Sequence, residues 1–202
     1  MTAYNTLLVN RPRPQVIVAH LNRPDRLNAI TFEMFEEFVA LQQEVEADQE
    51  ARVLVLTGSG RAFCAGLDLD LAETLPPMPA AVMLKGQESW ARSVAGFRHM
   101  SKPVIAAVNG AAAGAGMGIA LAADIRIASD NAKFNAAFVK IGLSGGDVGT
   151  SWMLPRLVGL GRRMKSCSPG ASSRQRKHSE SAWSLKSPMQ ITFSTAHCRS
   201  PR

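Results

Sequence analysis

Residues 102–124, KPVIAAVNGAAAGAGMGIALAAD, decide the fold. Residues 104–108 form an unbroken apolar run between Lys102-Pro103 and Asn109-Gly110, the pattern of a parallel strand covered on both faces. The loop that follows, 109–116, has almost no side chains, so another molecule can approach its backbone closely. A helix starting near Ala115 and running to about Ala123 turns free N–H groups and a positive dipole end toward that space. Such a corner suits an anion or a developing oxyanion. It equally suits tight packing of helix on strand, and one small-residue turn does not choose between the two.

A second corner lies upstream. Residues 53–57 read as another apolar strand, followed by GSGRAFCAGLDL at 58–69, again with small residues where a chain would wrap a ligand. Two strand-to-loop corners on one parallel sheet can bring two backbone donors to one carbonyl oxygen. Further out, 6–9 and 16–21 read as strands joined by a loop at 10–14. Thr31 can cap a helix running to about Asp48, with Phe32, Met34, Phe35, Phe38, Val39, Leu41 and Val45 on its apolar face. This alternation of strand and helix predicts an α/β fold.

The 73–100 stretch is less determined. Proline punctuates 75–83 as a loop, and helical spacing begins near Val82, with Met83, Trp90, Val94, Phe97 and Met100 read chiefly as helix core. After the central helix, 124–128 reads as a short strand, 131–138 as turn and strand, and 143–150 as a turn placing Asp147 before a helix that ends at Pro155.

Composition excludes several classes. A chain of 202 residues with 46% hydrophobic content is long enough for one domain with a full core. No apolar run reaches a membrane span and the N-terminus lacks a signal-peptide pattern, so no membrane is expected and the cytoplasm is the default location. Cys64, Cys167 and Cys198 have neither disulfide nor metal-ligand spacing, so no metal is expected. The net charge of +7 is localised: residues 165–202 hold seven Lys/Arg against Glu180 alone, which accounts for +6. The rest is near neutral and shows no basic face with interleaved aromatics, so no nucleic acid is expected.

Four ordered blocks carry a resemblance: LNRPDRLNAIT at 21–31, VLTGSGRAFCAGLDL at 55–69, KPVIAAVNGAAAGAGMGIALAADIRIAS at 102–129 and IGLSGGDVGTSWMLPRLVGLGR at 141–162. Over residues 7–164 the chain resembles the crotonase, or enoyl-CoA hydratase/isomerase, family. The resemblance implies a spiral core of repeated ββα turns and an acyl-CoA thioester as substrate. Coenzyme A is then part of the substrate and no separate cofactor is expected.

Carried over by position, the resemblance makes the N–H groups of Leu67 and Ala115 the two donors to the thioester oxygen. Position 115 is often Gly in relatives, and a backbone donor survives that change. Arg26, Leu27, Ala29, Ala65, Gly66, Asp68, Leu69 and Gly114 fall where relatives hold coenzyme A and the acyl group. Arg23 and Arg26 can pair with phosphate or stand as solvated loop charges. Asp68 reads as a structural acceptor at the turn, and Cys64 as a small buried residue. The 82–100 stretch borders the acyl pocket in relatives, so the resemblance gives its methionines and Trp90 a second reading beside helix core, as contacts to an apolar substrate. The family's hydratases use two glutamates, and the matching positions here are Gly118 and Phe138. The carboxylate that does match is Asp147, in a turn like that of dienoyl-CoA isomerase-like members; it reads either as acid/base or as a helix N-cap. A catalytically silent acyl-CoA-binding protein and a truncated product are the alternatives to an enzyme.

The resemblance stops at residue 164. Residues 165–202 are basic, rich in Ser and Pro, and lack periodicity, which predicts disorder. In relatives this is where the helices that cover the acyl pocket and build trimers or pairs of trimers begin; that region is missing here. If each tail serine is a TCN codon read out of frame, it becomes a codon for Phe, Leu, Ile or Val. Permitted codon choices then turn 164–192 into a string resembling those helices, which suggests a frameshift near 162–164.

Overall fold

A computed structural model describes residues 3–75, 77–138 and 143–159. The expectations for the 165–202 tail lie outside these residues.

Strand β1 (Leu7–Arg13) pairs antiparallel with β2 (Val16–Leu21). The strand runs through Asn10–Arg13, which the sequence reading made a loop. Pro12 is tolerated because β1 is an edge strand, where a missing N–H breaks no inner ladder, and the register shifts between Asn10 and Arg13. Helix α1 (Phe32–Ala47) follows, with the Thr31 hydroxyl accepting from Met34 N as a cap. It buries Met34, Phe35, Phe38, Leu41 and Val45 in the common hydrophobic core. Strand β3 (Val53–Gly58) then pairs parallel with β2.

Beyond β3 the chain makes a three-residue strand β4 (Ala62–Cys64), a one-turn helix α2 (Leu69–Ala72) and the long helix α3 (Ala80–His99). That helix starts two residues before the expected Val82 and seats Val94 and Phe97 in the core. Strand β5 (Val104–Val108) lies beside β3, and it is followed by β6 (Ala111–Ala113) and the buried helix α4 (Ala115–Ala122). Strands β7 (Ile125–Ala128) and β8 (Lys133–Asn135) and helix α5 (Thr150–Val158) close the described chain.

The strands form two sheets, β1-β2-β3-β5-β7 and β4-β6-β8. Apart from β1 with β2, every neighbouring pair is parallel. Each winding of the chain therefore lays one strand in the large sheet and a short one in the small sheet, which stacks the corners after β3 and β5 side by side. Helix α5 passes through Pro155, where the reading had ended it. The proline removes one backbone bond and crowds the carbonyl one turn back, yet the helix continues past it, with Pro155 O accepting from Gly159 N at 2.8 Å. The Asp147 N-cap expectation fails here: Gly149 is the N-cap of α5, at φ +73°, and no side chain caps the helix.

Candidate active site

The first corner begins with a polar clamp. Asn28 is fully buried, and its Nδ2 donates to Ser59 O and Ala62 O, both at 2.9 Å, while its Oδ1 accepts from Arg23 N. Asn109 reaches the same turn from β5, donating to Gly60 O and Ala62 O and accepting from Gly58 N. Ala65 N donates to Leu27 O at 3.0 Å. A parallel bridge then pairs Ile30 with Leu67, with Ile30 N donating to Gly66 O and Asp68 N to Ile30 O. In such a bridge the flanking residues supply both bonds, so the N–H of Leu67 faces the opposite side. Leu67 itself lines a cavity.

Asp68 closes the corner. Its carboxylate is buried and accepts from Arg23 Nη1 at 2.8 Å, Arg26 Nη2 at 3.1 Å and Asp70 N at 3.1 Å. Burial alone would push its pKa up, but the two guanidinium bonds outweigh that and hold it below the usual carboxylate range. This is the structural acceptor expected from the sequence. Arg23 and Arg26 both pair with Asp68, and Arg26, which stays half exposed to water, also pairs with Asp70.

The second corner is built from close packing. Gly114 N donates to Asn135 O at 2.8 Å, anchoring the turn on β8. Ala115 opens α4, so its N–H is one of the first-turn donors that no carbonyl of its own helix can reach. At Gly116 an added Cβ would lie 2.3 Å from Cys64 O and 2.6 Å from Cys64 Cβ, so only glycine lets α4 sit this close to β4. At Gly66, φ is +102° and a Cβ would stand 2.9 Å from Ala113 O and 3.6 Å from Ala115 N. The two corners thus touch through backbone. Cys64 lies behind them, fully buried, with its thiol pushed up to about 12 by desolvation, and so is inert as a nucleophile.

A cavity of about 270 Å³ opens between the corners. Ala65, Gly66, Leu67 and Leu69 line it from the first, and Gly114 and Ala115 from the second. Phe35 and Trp90 form one wall; Ala137, Phe138, Leu143 and Val148 form another. Among the described residues, Asp147 is the one ionisable side chain in the lining. Burial raises its pKa above the ordinary carboxylate value, partly offset by a backbone hydrogen bond from Ser144. Arg26, Leu27, Ala29 and Asp68 stand outside the lining, behind or beside the first corner. Phe35, Ala137, Leu143 and Val148 were not singled out as site residues in the sequence. Phe35 shares the period of the α1 core, so spacing could not separate a core residue from one that also faces a cavity.

The positions matching the hydratase glutamates differ from each other. Phe138 is in the cavity wall. A Cβ at Gly118 would meet Val148 Cγ2 at 2.7 Å and Thr150 Oγ1 at 3.1 Å, so the space a side chain would need there is already filled. Neither position supplies a proton-transfer group.

The family model for enoyl-CoA hydratase/isomerase matches residues 12–176. The Mycobacterium leprae protein named "Probable enoyl-CoA hydratase echA12" is 38% identical over 160 residues, covering 77% of this chain and 54% of its own. The 1,2-epoxyphenylacetyl-CoA isomerase of Escherichia coli K12 is 45% identical over 150 residues, covering 74% and 57%. Among solved structures, an enoyl-CoA hydratase from Bacillus anthracis superposes with a TM-score of 0.75 at 29% identity, over 87% of this chain and 68% of that one. The chain spans little more than half the length of these two curated relatives.

Proposed function

Because the chain belongs to the enoyl-CoA hydratase/isomerase family, we propose that it binds an acyl-CoA thioester with the carbonyl oxygen between the N–H groups of Leu67 and Ala115. The α-C–H bond of the acyl group then breaks, its proton passes to the Asp147 carboxylate, and its electron pair moves onto the carbonyl oxygen as an enolate. Where the acyl group carries a β,γ double bond, the electron pair is shared with the γ carbon, and reprotonation there by the same carboxyl moves the double bond to the α,β position. Two backbone donors fixed at rigid corners need no reorganisation as charge develops, and losing one typically costs about 3 kcal/mol of transition-state stabilisation. Coenzyme A enters as part of the substrate, and the proton transfer uses groups of the chain alone.

One observation carries this reading: two amide donors left over by the local bonding and a single raised-pKa carboxylate line one apolar cavity. The filled space at Gly118 and the phenyl ring at 138 favour isomerisation by one carboxylate over hydration by two. The name of the Escherichia coli relative, an isomerase of a phenylacetyl-CoA derivative, agrees with that preference. Arg26 and Arg23, beside the first corner, are proposed to stand near the phosphates.

The same two positions favour a second reading, a silent acyl-CoA-binding protein. Exchange of the α-proton of a bound acyl-CoA in heavy water separates the two. The proposal expects exchange that falls by about 10² to 10⁴ in Asp147→Asn, the usual range for a positioned acid/base. In the wild type the exchange should fade as pH drops through the raised Asp147 pKa, because the base must be ionised. Binding without exchange establishes the silent reading.

A further inference from the structure

A second cavity, also of about 270 Å³, has Trp90 in its wall as well. Besides Phe35 and Trp90, which it shares with the first cavity, it is lined by Phe32, Met78, Val82 and Gly86 together with Glu36 and Ser89. The indole ring is stacked on Phe32, with centroids 5.0 Å apart and planes 12° apart, and on Phe35, at 6.0 Å and 17°. Three near-parallel rings from α1 and α3 thus stand in the wall between an apolar cavity and a second one that is mainly apolar but also carries Glu36 and Ser89. The ring is seated by the residue one turn earlier: a Cβ at Gly86 would come within 3.0 Å of Trp90 Cζ2. A flat ring held on its faces and backed by glycine is a fixed wall, unlike a flexible aliphatic side chain filling the same gap.

We propose that Trp90 sets the acyl-chain length this protein accepts, by closing the first cavity against the second. The inference rests on the acyl-CoA reading above. A chain filling the first cavity ends against the indole; without the ring, a longer chain continues into the space under Phe32 and Val82. Each further buried methylene tightens binding by about fourfold, from about 0.8 kcal/mol per CH₂ at 1.4 kcal/mol per decade. The wall therefore appears as the chain length at which that gain stops.

The test is calorimetric binding of saturated acyl-CoA thioesters, from butyryl to myristoyl, to the full 202-residue chain and its variants. In the wild type, affinity should climb about fourfold per methylene and then level off. In Trp90→Ala the levelling should move to longer chains by several methylenes, whereas Trp90→Phe, which keeps a ring in the stack, should retain the wild-type limit. Should Trp90→Ala fail to give a cooperative thermal transition, Trp90→Leu replaces it with the same expectation. A limit unchanged by removal of the ring overturns the proposal while leaving the acyl-CoA reading intact. Failure of the wild type to bind any of the thioesters overturns that reading, and this inference with it.

Discussion

The corner after β3 is held in place by side chains, whereas the corner after β5 has almost none. At the first, Asn28 and Asn109 converge on the 58–62 turn, and Asp68 gathers two arginines. At the second, the chain is reduced to glycine and alanine until backbone lies against backbone, as at Gly116 beside Cys64. Both corners contribute residues to the lining of the same cavity. The difference teaches that the site's rigidity has two separable sources, hydrogen bonding on one side and steric closeness on the other, and that each has its own way of failing.

The largest effect should come from the tightly packed corner. Gly116→Val places a Cβ where Cys64 O and Cβ already stand, and the sheet cannot shift without opening β4 from α4. A loss of about 3 kcal/mol is expected, the upper end for overpacking, despite the better helix propensity of the new residue. A urea midpoint lowered at constant slope would show it. A loss below about 1 kcal/mol would mean that this corner is looser than its geometry implies.

Asn28→Ala should come next, at about 2 kcal/mol. It strands Ser59 O and Arg23 N, leaves Ala62 O with Asn109 Nδ2 alone, and puts alanine at φ +57°, which asparagine tolerates better. The same urea titration measures it, with acyl-CoA affinity as the second readout, since the turn that Asn28 holds leads into Leu67.

Asp68→Asn should have the smallest effect, about 1 kcal/mol, because Arg26 is half exposed and water screens its share of the pairing. Its signature is in pH. The folded Asp68 pKa lies below its unfolded value near 4, so its stabilisation is complete above that value and is lost as pH falls through the folded pKa. Melting curves of wild type and variant should therefore converge toward acid. Parallel curves across that range would show that hydrogen bonding by the neutral group suffices.

This contrast also explains what could be read from the sequence. Strand β5 was legible residue for residue, because a five-residue apolar run between Pro103 and Asn109 has few other uses. The Thr31 cap and the α1 face were legible for the same reason, being local signals. The three-residue strands β4 and β6 were not, since AFC and AAA carry no alternation and form only because parallel neighbours exist. Within the site, Leu67, Ala115 and Asp147 could be placed by motif and do line one cavity. That position 118 is filled by Val148 and Thr150 could not be read, because those residues arrive from α5 and the turn before it, some thirty positions along the chain.

The central claim, that two backbone amides polarise a thioester carbonyl, is tested most directly by infrared difference spectroscopy of an acyl-CoA carrying carbon-13 at that carbonyl. The account predicts that binding moves the C=O stretch to lower wavenumber than in water, and that the shift persists in Asp147→Asn because the donors belong to the backbone. A bound thioester whose carbonyl stretch stays at its solution position would contradict it.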